Sequence, residues 1–427
     1  MTAKRAGTAV VSIVPGDEAT FATKSGTFED DKEQIVTWDV TTNLNHGTIE
    51  NQAARVADLG KHENGVGLIH TDGNLTFSTY CYGLGSAYDG GVSAITPPVT
   101  PYMALIGACL GFDPSTGIID ADTAENTGSS TTAVVCNEDN SNIYPAAGNR
   151  FLIIEDQADA TKCHVRPVLS YNTGTNTAAL ALALPAIPAD GDVIYGCVNA
   201  VLTEDANYTI QGDVLKRNTT TNSEAGQNYE FFGAVGSFSL PETNVTESQV
   251  ISFDLKVADA TRYNEKVRVA PSSRRPQVAA GGTFILAKYG QTVGLSLKFL
   301  NVGVELARTY TPDPRANKAD GIGAWVVTDQ GTSITLHVHD DESLPTGFTA
   351  ANFHECFTQG GDQNRWHLLL VYGNRQPGFI FAEYFPKIQL DMEPEDVDVN
   401  GLQAMKLTFS LCAGGTEGEN KLWVCQG

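Results

Sequence analysis

Apolar and polar residues alternate through much of the chain, and that period of two predicts strands. Leu75, Phe77 and Thr79 share one face of such a segment, and Ile334, Leu336 and Val338 share one in the second half. Two stretches carry helical spacing instead. Tyr102 to Phe112 has Leu105, Ile106, Cys109 and Leu110 on one side, and Ala350 to Phe357 has Phe353, Cys356 and Phe357. Each follows a turn rich in Pro and Gly, so the chain reads as mainly β with two short helices.

The same elements recur in order. G-V-G-L-I-H-T-D-G-N-L-T-F at 65–77 matches G-I-G-A-W-V-V-T-D-Q-G-T-S-I-T-L at 321–336, each behind a polar loop with a Lys and an acidic residue. Upstream, Ala19-Thr20-Phe21 matches Gly282-Thr283-Phe284. Downstream, Tyr229, Phe231, Val235, Phe238 and Leu240 have the spacing of Phe379, Phe381, Phe385, Ile388 and Leu390, at an offset of 150. Ile251, Phe253 and Leu255 match Met405, Leu407 and Phe409 at 154, which predicts that the turn between these last two strands differs in length. Alternation is common to every half-buried strand, so one such pair says little; five in order describe a duplication.

The first copy is longer. Strand signals at 150–155, 163–170, 178–184 and 192–198, separated by N-T-G-T-N and P-A-D-G turns, mark an insertion. The expected organisation is a first unit of 1–112 and 206–263, an inserted small β-domain at 113–205, a linker at 264–281 and a second unit at 282–427. The linker holds Pro, Ser and Gly with few large apolar residues, and its Arg268, Arg274 and Arg275 are expected to pair with acidic surfaces of neighbouring subunits or keep it solvated.

Composition agrees with strands and turns: 41% hydrophobic residues, 42 Gly and 18 Pro. Charge adds a constraint. Fifty acidic against 27 basic residues give a net charge of −23, the wrong sign for a duplex-binding groove. It suits a surface that must not hold DNA, and equally a merely soluble acidic protein. The eight cysteines include no C-x-x-C pair and are expected to be reduced. The N-terminus lacks the pattern of a secretory signal, and no apolar run approaches the roughly 18 residues of a spanning helix. A soluble protein made in the cytoplasm is expected, with chance sequons at Asn74, Asn207, Asn218 and Asn244.

Candidate chemistry is sparse. His337 and His339 share a strand face beside Asp340, Asp341 and Glu342, but zinc would need a third ligand such as Cys356 or His367, so a solvated strand end is expected. Asp391, Glu393, Glu395, Asp396 and Asp398 could offer oxygens to calcium, yet lack the glycine-centred spacing of an EF-hand loop and read as a hairpin tip. Gly83, Gly85, Gly90 and Gly91 lack the Lys-Ser/Thr of a phosphate loop and read as turns. Cys163 and His164 are adjacent and would face opposite sides of a strand. No catalytic residue, metal or cofactor is assigned, and the chain is read as not an enzyme.

With E-A-T-F-A-T near the N-terminus, the polar loop through Arg55 to Gly65, and G-N-L-T-F followed by a helix, the chain resembles the tail tube (major tail) proteins of long-tailed bacteriophages. The final hairpin, F-F-G-A-V-G-S-F-S-L-P followed by V-I-S-F-D-L, adds to the likeness. That resemblance implies β-sandwich units flanked by a helix, six to a ring, with rings stacked into a tube that guides DNA. Here the fused version would close with three chains, a homotrimer of pseudo-sixfold symmetry. It implies inter-ring stacking loops at Arg55, Lys61, Glu63 and Gly65 and at Arg315, Lys318, Asp320 and Gly321. It also implies assembly in the host bacterial cytoplasm and a place in the virion tail, with no membrane. The partners it implies are the tape-measure protein and the tail terminator and distal tail or baseplate proteins; DNA passes without specific binding along an acidic lumen. The insert would project outward. The alternative is a β-sandwich adhesin or receptor-binding tail component whose insert recognises carbohydrate, although Trp38, Trp325, Trp366 and Trp423 are scattered rather than clustered.

Overall fold

A computed structural model describes residues 9–16, 18, 21–44, 47–49, 67–69, 73–90, 96–137, 149–206, 208–216, 228–244, 246–263, 276–277, 280–296, 299–314, 322–339, 344, 349–412 and 421–427. The protein is mainly β, with helices at Phe28–Asp31, Pro101–Leu110 and Phe353–Gln359 among the described residues.

Two antiparallel ladders have the same order. The first runs Glu33–Ile35, Ala9–Ile13, Ile210–Lys216, Asn228–Asn244, Val250–Tyr263, Gly73–Tyr80, Trp38–Asn43. The second runs Leu295–Ser296, Thr283–Lys288, Trp366–Tyr372, Phe381–Leu390, Leu402–Leu411, Ile322–His339, Phe299–Pro314. Even an irregularity repeats. Ile210 faces Ala234 and Gly212 faces Phe231, as Trp366 faces Ile388 and Leu368 faces Phe385. A bulge is a specific backbone feature, so its recurrence carries more weight than alternation.

The ladders correct the alignment in two places. Gly236 pairs with Leu255 as Leu390 pairs with Phe409, so both final strands are offset by 154, and the offset of 150 for the first of them is wrong by two full alternations. A slip of four residues preserves which side chains face inward, and hydrophobic pattern alone does not resolve it. Similarly, Thr283–Lys288 occupies the place of Ala9–Ile13, with Phe284 equivalent to Val11, so Phe21 is not the counterpart of Phe284. The second copy also divides the long Asn228–Asn244 strand into Phe381–Leu390 and Glu395–Val399.

One core cluster spans both units, including Leu75, Phe77 and Phe253 from the first and Leu336, Leu407 and Phe409 from the second. Pro101–Leu110 is buried at every residue within it. Thr100 caps this helix by accepting from Met103 N, Pro101 opens it, and Gly111 closes it at φ 72°, the left-handed conformation glycine adopts without a Cβ clash. Phe353–Gln359 is the shorter counterpart, capped by Asn352 and burying Phe353 and Cys356.

Within 113–205 the strands Asp122–Ser130, Ala133–Cys136, Arg150–Glu155, Cys163–Asn172, Thr177–Leu180 and Val193–Tyr195 close into a barrel. The flanking Ile118–Ile119 and Cys197–Val201 pair outside it, the latter with the C-terminal strand Trp423–Gln426. Barrel residues Phe151, Leu152 and Val165 pack in one cluster with Leu369, Val371, Ala382 and Tyr384 of the second unit. The alternate residues Leu368, Leu370 and Phe385 face the main core, so this sheet is buried on both sides and reads W-H-L-L-L-V-Y.

Candidate functional site

Eight antiparallel strands form one continuous sheet across the two units. The connection is made where Asn228–Asn244, already paired with Val250–Tyr263, also pairs through Phe238, Ser239, Leu240, Thr243 and Asn244 with Leu306, Glu305, Val304, Val302 and Asn301. One rung crosses every strand: Trp38, Ser78, Ser252, Ser239, Glu305, Ser333, Ser410, Gln389. On the six inner strands the neighbours Phe77, Phe253, Phe238, Leu306, Ile334 and Phe409 are buried. The rung therefore lies on the face turned away from the core.

That face is rich in hydroxyl and amide groups. Ser78 and Ser252 hydroxyls are 2.9 Å apart, and Asn74 Nδ2 donates to Asp254 Oδ1 at 3.3 Å. Charges of both signs stand on it: Asp254 and Glu305 with Lys256 and Lys406. The acidic excess of the whole chain is thus not concentrated at the centre of this face. The barrel packs on the opposite side of the fold, against the second unit's outer sheet.

The junction between units is fixed by buried polar contacts that sequence reasoning missed. Arg308 is 6% exposed and sends Nη1 to Cys109 O at 2.9 Å and Nη2 to Thr203 O at 2.8 Å. Tyr310 donates to Gly236 O at 2.9 Å, and Trp325 Nε1 donates to Gly233 O at 2.7 Å. All four acceptors, Cys109 O, Gly233 O and Gly236 O of the first copy and Thr203 O on the return from the insert, are backbone carbonyls, which carry no signature in sequence.

Buried acids in the first unit's outer sheet were also missed. Asp213 and Glu230 face each other across the ladder; Lys32 Nζ lies 2.9 Å from Asp213, and Lys24 Nζ 2.8 Å from Glu230. Burial pushes the Lys32 pKa down, but Asp213 and Glu29 outweigh it and the net direction is up.

The candidate residues of the stacking loops (Arg55, Lys61, Glu63, Gly65, Arg315, Lys318, Asp320, Gly321) and of the linker (Arg268, Arg274, Arg275) lie outside the described residues. His337 is opposite Lys406 with Nε2 3.5 Å from Glu242, and burial lowers its pKa. His367 is engaged elsewhere, by Tyr384 Oη at 2.9 Å and Gln291 O at 2.8 Å. Among the described residues no group of three or more His, Cys, Asp or Glu side chains converges as a metal site, so neither the histidine pair nor the acidic turn gathers a ligand set there. All eight cysteines are buried free thiols.

The barrel carries a cleft of about 320 Å³ lined by Asp156, Gln157, His164, Leu184, Pro185 and Asp192 among others. Its most charged corner is occupied: Asp156 Oδ2 accepts from Arg375 Nη1 at 3.1 Å, and Asp156 Oδ1 lies 3.4 Å from His164 Nε2. Arg375 belongs to the second unit, and Cys163 N donates to its carbonyl at 2.8 Å, so this cluster docks the barrel. Cys163 is fully buried and His164 half-buried on alternate faces. No protein-family model matches the chain, and no curated protein matches it significantly.

Proposed function

We propose that this chain is a structural subunit of a bacteriophage tail tube, in which three copies close into a ring of pseudo-sixfold symmetry and rings stack into a DNA-conducting channel. The observation that carries the reading is the single eight-stranded sheet made of two equivalent four-stranded halves, with a hydroxyl-rich face turned from the core. Such a face offers DNA few fixed cations, so a duplex would slide past without being held. The barrel lies on the far side of the fold, where it would project outward and leave the channel clear.

On this reading the chain functions in the virion tail after assembly in the host cytoplasm. It would assemble around a tape-measure protein and end at terminator and distal tail proteins. No catalytic step is assigned. Negative-stain electron microscopy of the purified full-length protein tests the proposal: rings or tubes with six-lobed end views are expected, and a monodisperse monomer under all conditions would overturn it.

A further inference from the structure

The internal junction is a template for the contact between chains. We infer that the Glu395–Val399 strand pairs antiparallel with Trp38–Asn43 of a second copy, placing Glu395 opposite Asn43 as Ser239 stands opposite Glu305 within one chain.

The ladders supply the equivalences. Ser239 pairs with Ser252, which pairs with Ser78; Glu395 pairs with Lys406, which pairs with His337. Thr76 faces Asp254 as Thr335 faces Thr408, so Ser78 and His337 occupy the same place, and so do Ser239 and Glu395. On the other side, Glu305 pairs with Ser333 and Asn43 with Asn74, which are likewise equivalent. Ser239 and Glu305 meet inside the chain. Glu395 and Asn43, their equivalents, lie on the outer edges of the sheet, where no partner strand pairs with Glu395–Val399 beyond Leu402–Leu411, or with Trp38–Asn43 beyond Gly73–Tyr80, among the described residues. Asn43 and Glu395 are exposed, as are the apolar Met392 and Leu402 beside the second edge. Two edges of one sheet that are unpaired among the described residues, each equivalent to a paired one, call for a second copy of this chain.

The stagger is compatible with closure. The rung that leaves Ser78 reaches Ser333, four residues short of its equivalent His337, after four strands. One residue per strand is the ratio of an eight-stranded barrel of shear 8, whose strands tilt by about 36°. A heterologous edge contact of this kind makes a closed ring or an open fibre; pseudo-sixfold geometry closes it at three chains.

This inference rests on the ring part of the proposed function and is independent of the virion. Its test is oxidative cross-linking of the full-length double variant Asn43→Cys/Glu395→Cys, read on a non-reducing gel, with thermal melting to show that the fold is kept. Dimer and trimer bands are expected, with nothing larger. The out-of-register pair Asn43→Cys/Asp391→Cys, displaced four residues along the edge, should cross-link at least about tenfold less, because disulfide geometry tolerates only a few ångströms. Equal cross-linking by both pairs overturns the register. Rings in the microscope with no cross-link overturn the edge contact and leave the ring reading standing. A protein that neither cross-links nor self-associates overturns both, and a ladder beyond trimer overturns three-chain closure.

Discussion

Arg308 Nη1 donates to Cys109 O at 2.9 Å, so a cation from the second unit sits on the C-terminal end of the first unit's buried helix. The last carbonyls of a helix lack partners along it and carry partial negative charge, which makes this position favourable for a guanidinium. Its second nitrogen reaches Thr203 O, so one side chain ties the helix, the return from the barrel and the junction strand together.

Replacing it should loosen the junction. Arg308→Leu leaves buried carbonyls without their donor and is expected to cost about 2–4 kcal/mol, read as a lower urea midpoint. Arg308→Lys keeps the charge but loses the fork that reaches two carbonyls, and should fall between the parent and Arg308→Leu. Equal stability of all three proteins would show that the contact does not hold the units together.

The Lys32–Asp213 pair predicts a different pattern. Both side chains are almost completely buried, 2.9 Å apart. Lys32→Met removes the cation 2.9 Å from a buried carboxylate and should destabilise by about 3–5 kcal/mol. In the second unit the ladder position of Asp213 is held by Leu369, which the barrel covers. The double variant Lys32→Met/Asp213→Leu should therefore recover most of the loss, and thermal melting of the three proteins would show it. A double variant no better than Lys32→Met would mean that the site needs its charges.

The reverse substitution tests how the barrel is seated. Leu369 is 0% exposed between the second unit's sheet and the barrel. Leu369→Asp puts a charge into that apolar layer, and the described segment 289–294 (Y-G-Q-T-V-G), which takes the place of 14–32 in the ladder order, carries no lysine to meet it. The barrel should detach before the rest of the fold opens, seen as new protease cleavage near Ile118–Ile119 and Cys197–Val201. Leu369→Met, which keeps the volume, should leave the cleavage pattern of the parent.

Much of this architecture was legible because it depends on local patterning. The 2.0 and 3.6 periods placed Gly73–Tyr80, Asn228–Asn244, Val250–Tyr263, Ile322–His339, Phe381–Leu390, Leu402–Leu411 and both larger helices, with Tyr102–Phe112 expected and Pro101–Leu110 found, whereas Phe299–Pro314 and Trp366–Tyr372 were not read. Four of the six barrel strands were marked by their turns, while Asp122–Ser130 (D-T-A-E-N-T-G-S-S), mostly polar and half-exposed, and Ala133–Cys136, only four residues long, were not. Register was illegible for a physical reason: a slip of an even number of residues leaves the buried face intact, and only the bulge opposite Ile210 and Trp366 fixes it. The junction escaped because Arg308, Tyr310 and Trp325 bond to main-chain oxygens, and the buried acids because Asp213 and Glu230 are matched by lysines some 200 residues away.

A pH dependence follows from Glu383, which is buried with Oε2 accepting from Tyr372 Oη at 3.3 Å. Burial pushes its carboxyl up from 4.5 to about 8, and the Tyr372 hydrogen bond offsets this only in part. The folded protein thus keeps a proton that the unfolded chain releases. Stability from this group is complete below pH 4.5 and falls as pH rises towards about 8, at about 1.4 kcal/mol per pH unit. His367 works in the opposite sense: burial holds it near 4 against 6.5, so its contribution is present above pH 6.5 and lost in acid. Between pH 6.5 and 8 the Glu383 slope stands without that compensation, and the parent should lose roughly 1–2 kcal/mol relative to Glu383→Gln, which carries the Tyr372 contact without titrating. Urea midpoints of the two proteins at pH 6.5 and pH 8 measure it. Parallel midpoints across that window would mean that Glu383 is already ionised in the fold.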